Sequence, residues 1–105
     1  MSPRDPRQRL EDVVAAIDAI AALRFEHPHA ETALRYHLIV IGEAVAGIGE
    51  DIRARHPDVP WSRIVGLRNE LVHAYHRVDD EALQVLVLPG LSDLRRVCVE
   101  LRDGT

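Results

Sequence analysis

The stretch RNELVHAY, residues 68–75, has the apolar spacing of an amphipathic helix and points to a helical fold for this 105-residue chain. Leu71 and Val72 suit a buried helix face, yet Arg68 and Tyr75 fall within a second apolar stripe of the same helix. A permanent cation in such a stripe needs a specific role, because burying an unpaired charge is costly.

The rest of the chain also shows helical periodicity, and no segment has the alternation of a β-strand. Asp5 followed by Pro6 is a typical start for a first helix. We predict helices over about 6–24, 29–48 and 62 to 75 or 78, a fourth starting near 79–81, and a last one from 91 to the C-terminus. Residues 55–61 are predicted to form a loop, and Pro89-Gly90 to break the chain between the last two helices. The expected fold is an all-α bundle of four to five helices, with a central second helix and one domain over residues 1–105.

Composition indicates a packed domain in a reducing compartment. Hydrophobic residues make up 47% of the chain, which suits a folded core. The single cysteine excludes an internal disulfide, and the charged N-terminus has no apolar signal segment. No apolar run approaches the roughly 18 residues of a transmembrane helix. We therefore expect a cytoplasmic protein with no membrane association.

Charge is distributed unevenly along the chain. The net charge is −4, which argues against a generally basic nucleic-acid binder. Residues 53–77, however, contain five arginines and two acids, whereas the remainder contains eight arginines and fifteen acids. A local cationic segment on an acidic body suits an anionic ligand, although charge counts alone favour a solvated surface.

Common catalytic and metal-binding signatures are missing. The sequence has no glycine-rich phosphate loop, no cysteine pair for zinc and no GxSxG nucleophile motif. Six histidines are present, at positions 27, 29, 37, 56, 73 and 76. His73 and His76 could share a helix face, but no third ligand lies near them in sequence. We therefore expect neither a metal site nor a cofactor.

Arg68, Asn69, His73 and Tyr75 form the strongest candidate site. A histidine can move a proton near neutral pH, and an arginine can hold a phosphate and stabilise its transition-state charge. These residues therefore suit phosphodiester cleavage of RNA, which carries its own nucleophile in the 2′-hydroxyl. Asn69 and His73 lie one turn apart, so the amide could orient the imidazole.

Helix geometry opposes a single-chain version of this site. Arg68 and His73 are five residues apart and diverge by roughly 140° around an ideal helix. They can meet if the arginine reaches across, if the helix end unwinds, or if a second chain supplies one of them. A purely structural alternative pairs Arg68 with Glu43 of the second helix or with another buried acid, while His73 and Tyr75 only pack.

The sequence resembles the HEPN superfamily and, within it, the HepT toxins of HepT–MntA toxin–antitoxin systems. The family pattern R-x4-H-x-Y corresponds to Arg68, His73 and Tyr75. Its flanks also match in the family order, as IGEA at 41–44, HPDVPW at 56–61 and GLRNELVHAYHRVD at 66–79. The resemblance covers most of the chain from about residue 20, and the proline-glycine at 89–90 is a departure from it.

The resemblance implies an all-α homodimer whose two motifs face each other across a cleft. It implies a metal-independent endoribonuclease, the toxin of a type VII system, that uses Arg68 and His73 as its catalytic pair with RNA as substrate. Asn69 and Glu43 are expected to support that pair. It further implies an MntA-type nucleotidyltransferase antitoxin that uses ATP to adenylylate Tyr75.

Three functions remain open from the sequence. The first is a ribonuclease toxin, which the joint presence of arginine, histidine and tyrosine favours. The second is a non-catalytic helical subunit that serves a nucleotidyltransferase. The third is a purely structural dimeric bundle.

Overall fold

The computed structural model describes residues 5–105, and within them it contains six α-helices and no strand. The helices are α1 Pro6–Ala21, α2 Ala30–Ala46, α3 Glu50–Arg53, α4 Trp61–His73, α5 Asp80–Leu86 and α6 Leu91–Asp103. Two 3₁₀ turns, Tyr75–Arg77 and Leu88–Gly90, precede and follow α5. The predicted all-α bundle is confirmed, and the second turn contains the predicted break at Pro89-Gly90.

Helix α2 is the centre of the bundle, as its apolar residues on several sides predict. It packs against α1 on one flank and against α4 on another, and α1 also packs against α6. The side chains that are almost completely buried come from α1, α2, α4, α6 and the segment after α2: Leu10, Val13, Leu34, Ile41, Val45, Ile48, Leu71, Val97 and Cys98. Each fully buried aliphatic side chain contributes about 1.5–3 kcal/mol, so this core is the main source of stability.

The first helix begins with a capping box. The Asp5 carboxylate accepts from the backbone N–H of Gln8 at 2.8 Å, and the Gln8 side chain accepts from the backbone N–H of Asp5 at 3.0 Å. Pro6 lies at the first helical position, so the predicted start is confirmed. The helix ends at Ala21, earlier than predicted, because turn hydrogen bonds replace helical ones from Leu23 to Ala30.

Trp61 fixes the loop between α3 and α4. Its indole N–H donates to the backbone carbonyls of Arg53 and His56, each at 3.0 Å, and its ring is buried. These bonds anchor α4 one residue before the predicted start at Ser62. The one-turn helix α3 was not predicted; it follows Gly49, whose φ of +94° is accessible to glycine at little cost.

Helix α4 ends at His73, before the predicted limits of residue 75 or 78. Ala74 leaves helical geometry with φ −135° and ψ 40°, and the 3₁₀ turn follows directly. Asp79 then caps α5 by accepting from the N–H of Ala82 at 3.2 Å. The candidate residues His73 and Tyr75 therefore flank a change of backbone direction. No helix within residues 5–105 has both the length and the apolar character needed to cross a membrane.

Candidate active site

Gly42 allows α4 to lie directly on α2 at Arg68. A Cβ atom built on Gly42 would lie 2.2 Å from the Cβ of Arg68 and 2.8 Å from its Cγ, distances that real side chains do not adopt. The aliphatic stem of Arg68 thus occupies the space that any larger residue at position 42 would need. This close crossing explains why an arginine lies in the apolar stripe of α4. The aliphatic stem of Arg68 packs against α2 at the position where an apolar side chain would otherwise lie.

The head of Arg68 is held by two oxygen acceptors. One Nη donates to the Glu43 carboxylate at 2.8 Å, and the other donates to the side-chain oxygen of Asn69 at 2.8 Å. The Nε atom is buried and makes no hydrogen bond within residues 5–105. The Arg68 side chain is 28% exposed and that of Glu43 is 55% exposed, so the head can be reached from solvent.

In this structure Asn69 orients Arg68, whereas the sequence analysis expected it to orient His73. Its amide oxygen accepts from the guanidinium, and no hydrogen bond joins Asn69 to His73 within residues 5–105. The pair Arg68–Glu43 anticipated by the structural alternative is formed. An ion pair this exposed contributes about 0–1 kcal/mol to stability, which is little reason by itself for an arginine at this position.

His73 and Tyr75 are presented at the end of α4. His73 is exposed, and its ring makes no hydrogen bond or ion pair with the part of the chain that the structure describes. Tyr75 is 53% exposed, on the 3₁₀ turn that follows. The sequence left three ways for these residues to approach Arg68. Unwinding begins only at Ala74, so His73 stays on α4 with Arg68 and only Tyr75 leaves the helix. No hydrogen bond links Arg68 with His73 in residues 5–105.

Three exposed apolar side chains on α2, α4 and the turn after α4 form what we call the exposed apolar patch. It consists of Tyr36 on α2, Val72 on α4 and Tyr75, which are 62%, 44% and 53% exposed. Glu43 lies seven residues after Tyr36, two helical turns along the same face of α2. The patch and the pair Arg68–Glu43 therefore occupy neighbouring parts of one surface. Large exposed apolar side chains grouped in this way are typical of interaction surfaces.

Arg35 is a residue that the sequence analysis missed. It is the one charged or polar residue in the buried class within residues 5–105, with 7% exposed. Its guanidinium lies 4.5 Å from the centroid of the Tyr75 ring and pairs with Asp80. A signal was present in the sequence, since Arg35 lies between Leu34 and Leu38 on the most apolar helix.

The rest of the described chain contains no metal-binding cluster, but it contains a groove. Within residues 5–105, no three histidine, cysteine or acidic side chains are grouped so that they could hold a metal ion. A groove of about 550 Å³ lies between α4 and the α5–α6 region, lined by residues that include Ile64, Leu67 and Leu94. None of Arg68, His73 and Tyr75 lines this groove, so the groove is separate from the candidate site.

Comparison with known proteins identifies one family. The "Ribonuclease HepT-like" family matches residues 7–101. A protein of Methanocaldococcus jannaschii named "Putative RNase MJ1380" is 34% identical over 91% of this chain and 95% of its own length. One of Thermococcus cleftensis named "Probable ribonuclease HepT" is 30% identical over 94% of this chain and 97% of its own.

A third relative is also named as an RNase. The protein of Caldanaerobacter subterraneus subsp. tengcongensis named "Putative RNase TTE0752" is 28% identical over 93% of this chain and 95% of its own length. No solved structure matched the chain.

Proposed function

Because the chain belongs to the ribonuclease HepT-like family, we propose that it is an endoribonuclease and the toxin of a HepT–MntA type system. The observation that carries the proposal is the surface at the α2–α4 crossing. There a solvent-accessible arginine is fixed by packing and two hydrogen bonds, and an exposed histidine lies at the end of the same helix.

Arg68 is the proposed phosphate-binding group. A guanidinium can donate two parallel hydrogen bonds to phosphate oxygens, and it does not lose its charge near neutral pH. In the free protein Glu43 neutralises this charge at 2.8 Å. An incoming phosphate would replace the carboxylate as the acceptor, while the other Nη of Arg68 keeps its hydrogen bond to Asn69.

His73 is the proposed proton-transfer group. The 2′-oxygen of the RNA attacks the adjacent phosphorus and loses its proton to a neutral imidazole. The bond from phosphorus to the 5′-oxygen then breaks, and a protonated imidazole supplies the proton that the leaving oxygen needs. This chemistry leaves a 2′,3′-cyclic phosphate and a 5′-hydroxyl, and it requires no metal ion.

Two proton-transfer groups in one cleft require two chains, because each chain offers a single His73. A homodimer formed through the exposed apolar patch would bring the two α4 ends together. It would also cover Tyr36 and Val72, whose exposure is otherwise unfavourable. One histidine then accepts a proton while the other donates, and the two arginines share the phosphate charge.

Tyr75 is the proposed target of the antitoxin. No hydrogen bond of its hydroxyl occurs within residues 5–105, and the residue is half exposed. An MntA-type nucleotidyltransferase would transfer adenylate from ATP to this hydroxyl and release pyrophosphate. The added phosphate would lie beside the proposed RNA-binding groups and repel RNA phosphate, and the nucleotide would fill the cleft.

The test is cleavage of a defined RNA by the purified chain in the presence of EDTA. We expect cleavage with 2′,3′-cyclic phosphate ends, and no cleavage when the nucleotide 5′ of the cut carries a 2′-deoxyribose. Products with other ends, or a requirement for added divalent metal, would contradict the mechanism. Absence of cleavage together with tight binding to a nucleotidyltransferase would favour the non-catalytic subunit.

A further inference from the structure

Arg35 is a buried cation outside the proposed catalytic set. It projects from the central helix α2, where its neighbours Leu34 and Leu38 are core residues. Arginine loses strong hydration when it is buried, and an apolar residue of similar size often serves stability as well or better. An arginine at this buried position therefore suggests a role that needs both its positive charge and its planar set of hydrogen-bond donors.

The contacts of Arg35 converge on the turn that joins α4 to α5. Its Nη1 donates to the backbone carbonyl of Tyr75 at 3.1 Å, and Nη2 donates to the carbonyl of Val78. Its Nε donates to the Asp80 carboxylate at 2.7 Å. One side chain of α2 thus holds both ends of the 3₁₀ turn and the first residue of α5.

The same guanidinium also supports the tyrosine ring. Its Cζ lies 4.5 Å from the ring centroid of Tyr75, within the range of a cation–π interaction. The ring is held on this side while the residue stays 53% exposed. The Arg35 guanidinium therefore contacts both the backbone carbonyl and the ring of Tyr75.

We propose that Arg35 is a positioning residue that sets the geometry of the unwound α4 end, and through it the placement of His73 and Tyr75. Its effect on RNA cleavage rests on the proposed function; its effect on the turn does not. Lysine should not replace it, because one ammonium cannot reach two carbonyls and a carboxylate in the planar arrangement of the guanidinium.

The test compares Arg35→Lys with Arg95→Lys as a matched control. Arg95 also binds an aspartate of another helix, Asp18, through two hydrogen bonds, but it joins α6 to α1. The amide protons of Arg77 and Val78 bond to the carbonyls of Ala74 and Tyr75 within the turn. We expect both to exchange about tenfold faster in Arg35→Lys, as for the loss of one hydrogen bond, and at the unaltered rate in Arg95→Lys.

Two further measurements separate positioning from general stability. The ring resonances of Tyr75 should shift in Arg35→Lys, because the cation leaves the ring face. The kcat for RNA should fall by about 10²-fold with little change in KM, as expected when a reacting group is misplaced by about 1 Å. Far-UV circular dichroism should show that both variants keep their helices.

The outcomes distinguish this inference from the proposed function. Wild-type exchange at Arg77 and Val78 together with unshifted Tyr75 resonances in Arg35→Lys would overturn the inference. Should Arg35→Lys not fold, Asp80→Ala removes one of the three acceptors, and wild-type exchange in that variant would overturn it equally. A wild-type protein that cleaves no RNA would contradict the proposed function, while the exchange measurements would still decide the role of Arg35.

Discussion

At the scale of single residues, the arrangement of Arg68 fits ligand binding better than structural pairing. Its stem is tightly packed on Gly42, whereas its head reaches a partner that is more than half exposed. Exposed ion pairs contribute little, so natural selection for stability alone would be weak here. A rigid stem with an accessible head is what a phosphate-binding arginine needs, because less side-chain freedom is lost on binding.

Tyr75→Phe separates the hydroxyl from the ring. The variant keeps the ring on Arg35, so we expect RNA cleavage at the wild-type rate. Co-expression with the cognate nucleotidyltransferase should raise the mass of the wild-type chain by one or more adenylate units and leave Tyr75→Phe unmodified. Tyr36→Phe is the control, since its parent residue is also exposed. An adduct that persists in Tyr75→Phe would contradict the assignment.

At the scale of elements, the crossing of α2 and α4 depends on the absence of a side chain at Gly42. Gly42→Ala would place a methyl group 2.2 Å from the Arg68 Cβ. We expect a loss of roughly 1–3 kcal/mol in the free energy of unfolding, as for other overpacked sites. RNA cleavage should also fall, because α4 must move relative to α2. Denaturant titration and a cleavage assay measure the two effects.

Gly66→Ala is the matched control on α4. A Cβ at this position would meet no atom within 4 Å, so the space is open. Alanine should stabilise the helix by up to about 1 kcal/mol through its higher propensity, without altering cleavage. Equal destabilisation by both substitutions would show that the close approach at Gly42 is not the cause.

The buried thiol of α6 gives a prediction for pH dependence. Burial raises the pKa of Cys98 from an ordinary 9.0 to about 12. The unfolded chain therefore loses this proton first, so stability should be unaffected below about pH 9 and fall as pH rises towards about 12. Denaturant titrations across that range should show a smaller decline for Cys98→Ala, and parallel declines would refute the claim.

Helix boundaries could be predicted from the sequence where local signals define them. They could not be predicted where contacts with distant parts of the chain define them. Asp5 with Pro6 defines the start of α1 by local chemistry, and both were recognised in the sequence. The turn that follows α4 accepts a hydrogen bond from Arg35, forty residues earlier in the chain. No local pattern around Tyr75 contains that information. The apolar periodicity alone therefore placed the end of α4 too late, at residue 75 or 78 instead of His73.

The sequence named the candidate residues and one of their contacts, the pair Arg68–Glu43. The sequence drew attention to Arg68, Asn69, His73 and Tyr75 because a polar set interrupts an apolar stripe. It did not indicate that the Asn69 side chain accepts from Arg68, nor that within residues 5–105 it makes no hydrogen bond to His73. That outcome depends on where the Arg68 head lies once its stem packs on Gly42 of α2.

At the scale of the whole molecule, a homodimer is required by the proposed chemistry and favoured by the exposed apolar patch. Light scattering should give twice the 11.8 kDa mass of one chain. Val72→Glu should convert the dimer to monomer and abolish cleavage, because it places a charge within the patch. Val85→Glu is the control on α5, where the parent residue is 62% exposed. A monomeric wild-type chain that cleaves RNA would contradict the two-chain site.

The most direct test of the central claim is the single-turnover rate of RNA cleavage by Arg68→Ala and His73→Ala, each compared with a substitution outside the site. Arg96→Ala and His29→Ala are suitable controls, since both parent residues are exposed on other segments. The account predicts that Arg68→Ala and His73→Ala each cleave about 10²–10⁴-fold more slowly than the wild type. Both should keep their helical content, and both controls should retain the wild-type rate. Cleavage by His73→Ala or Arg68→Ala at the wild-type rate would contradict it.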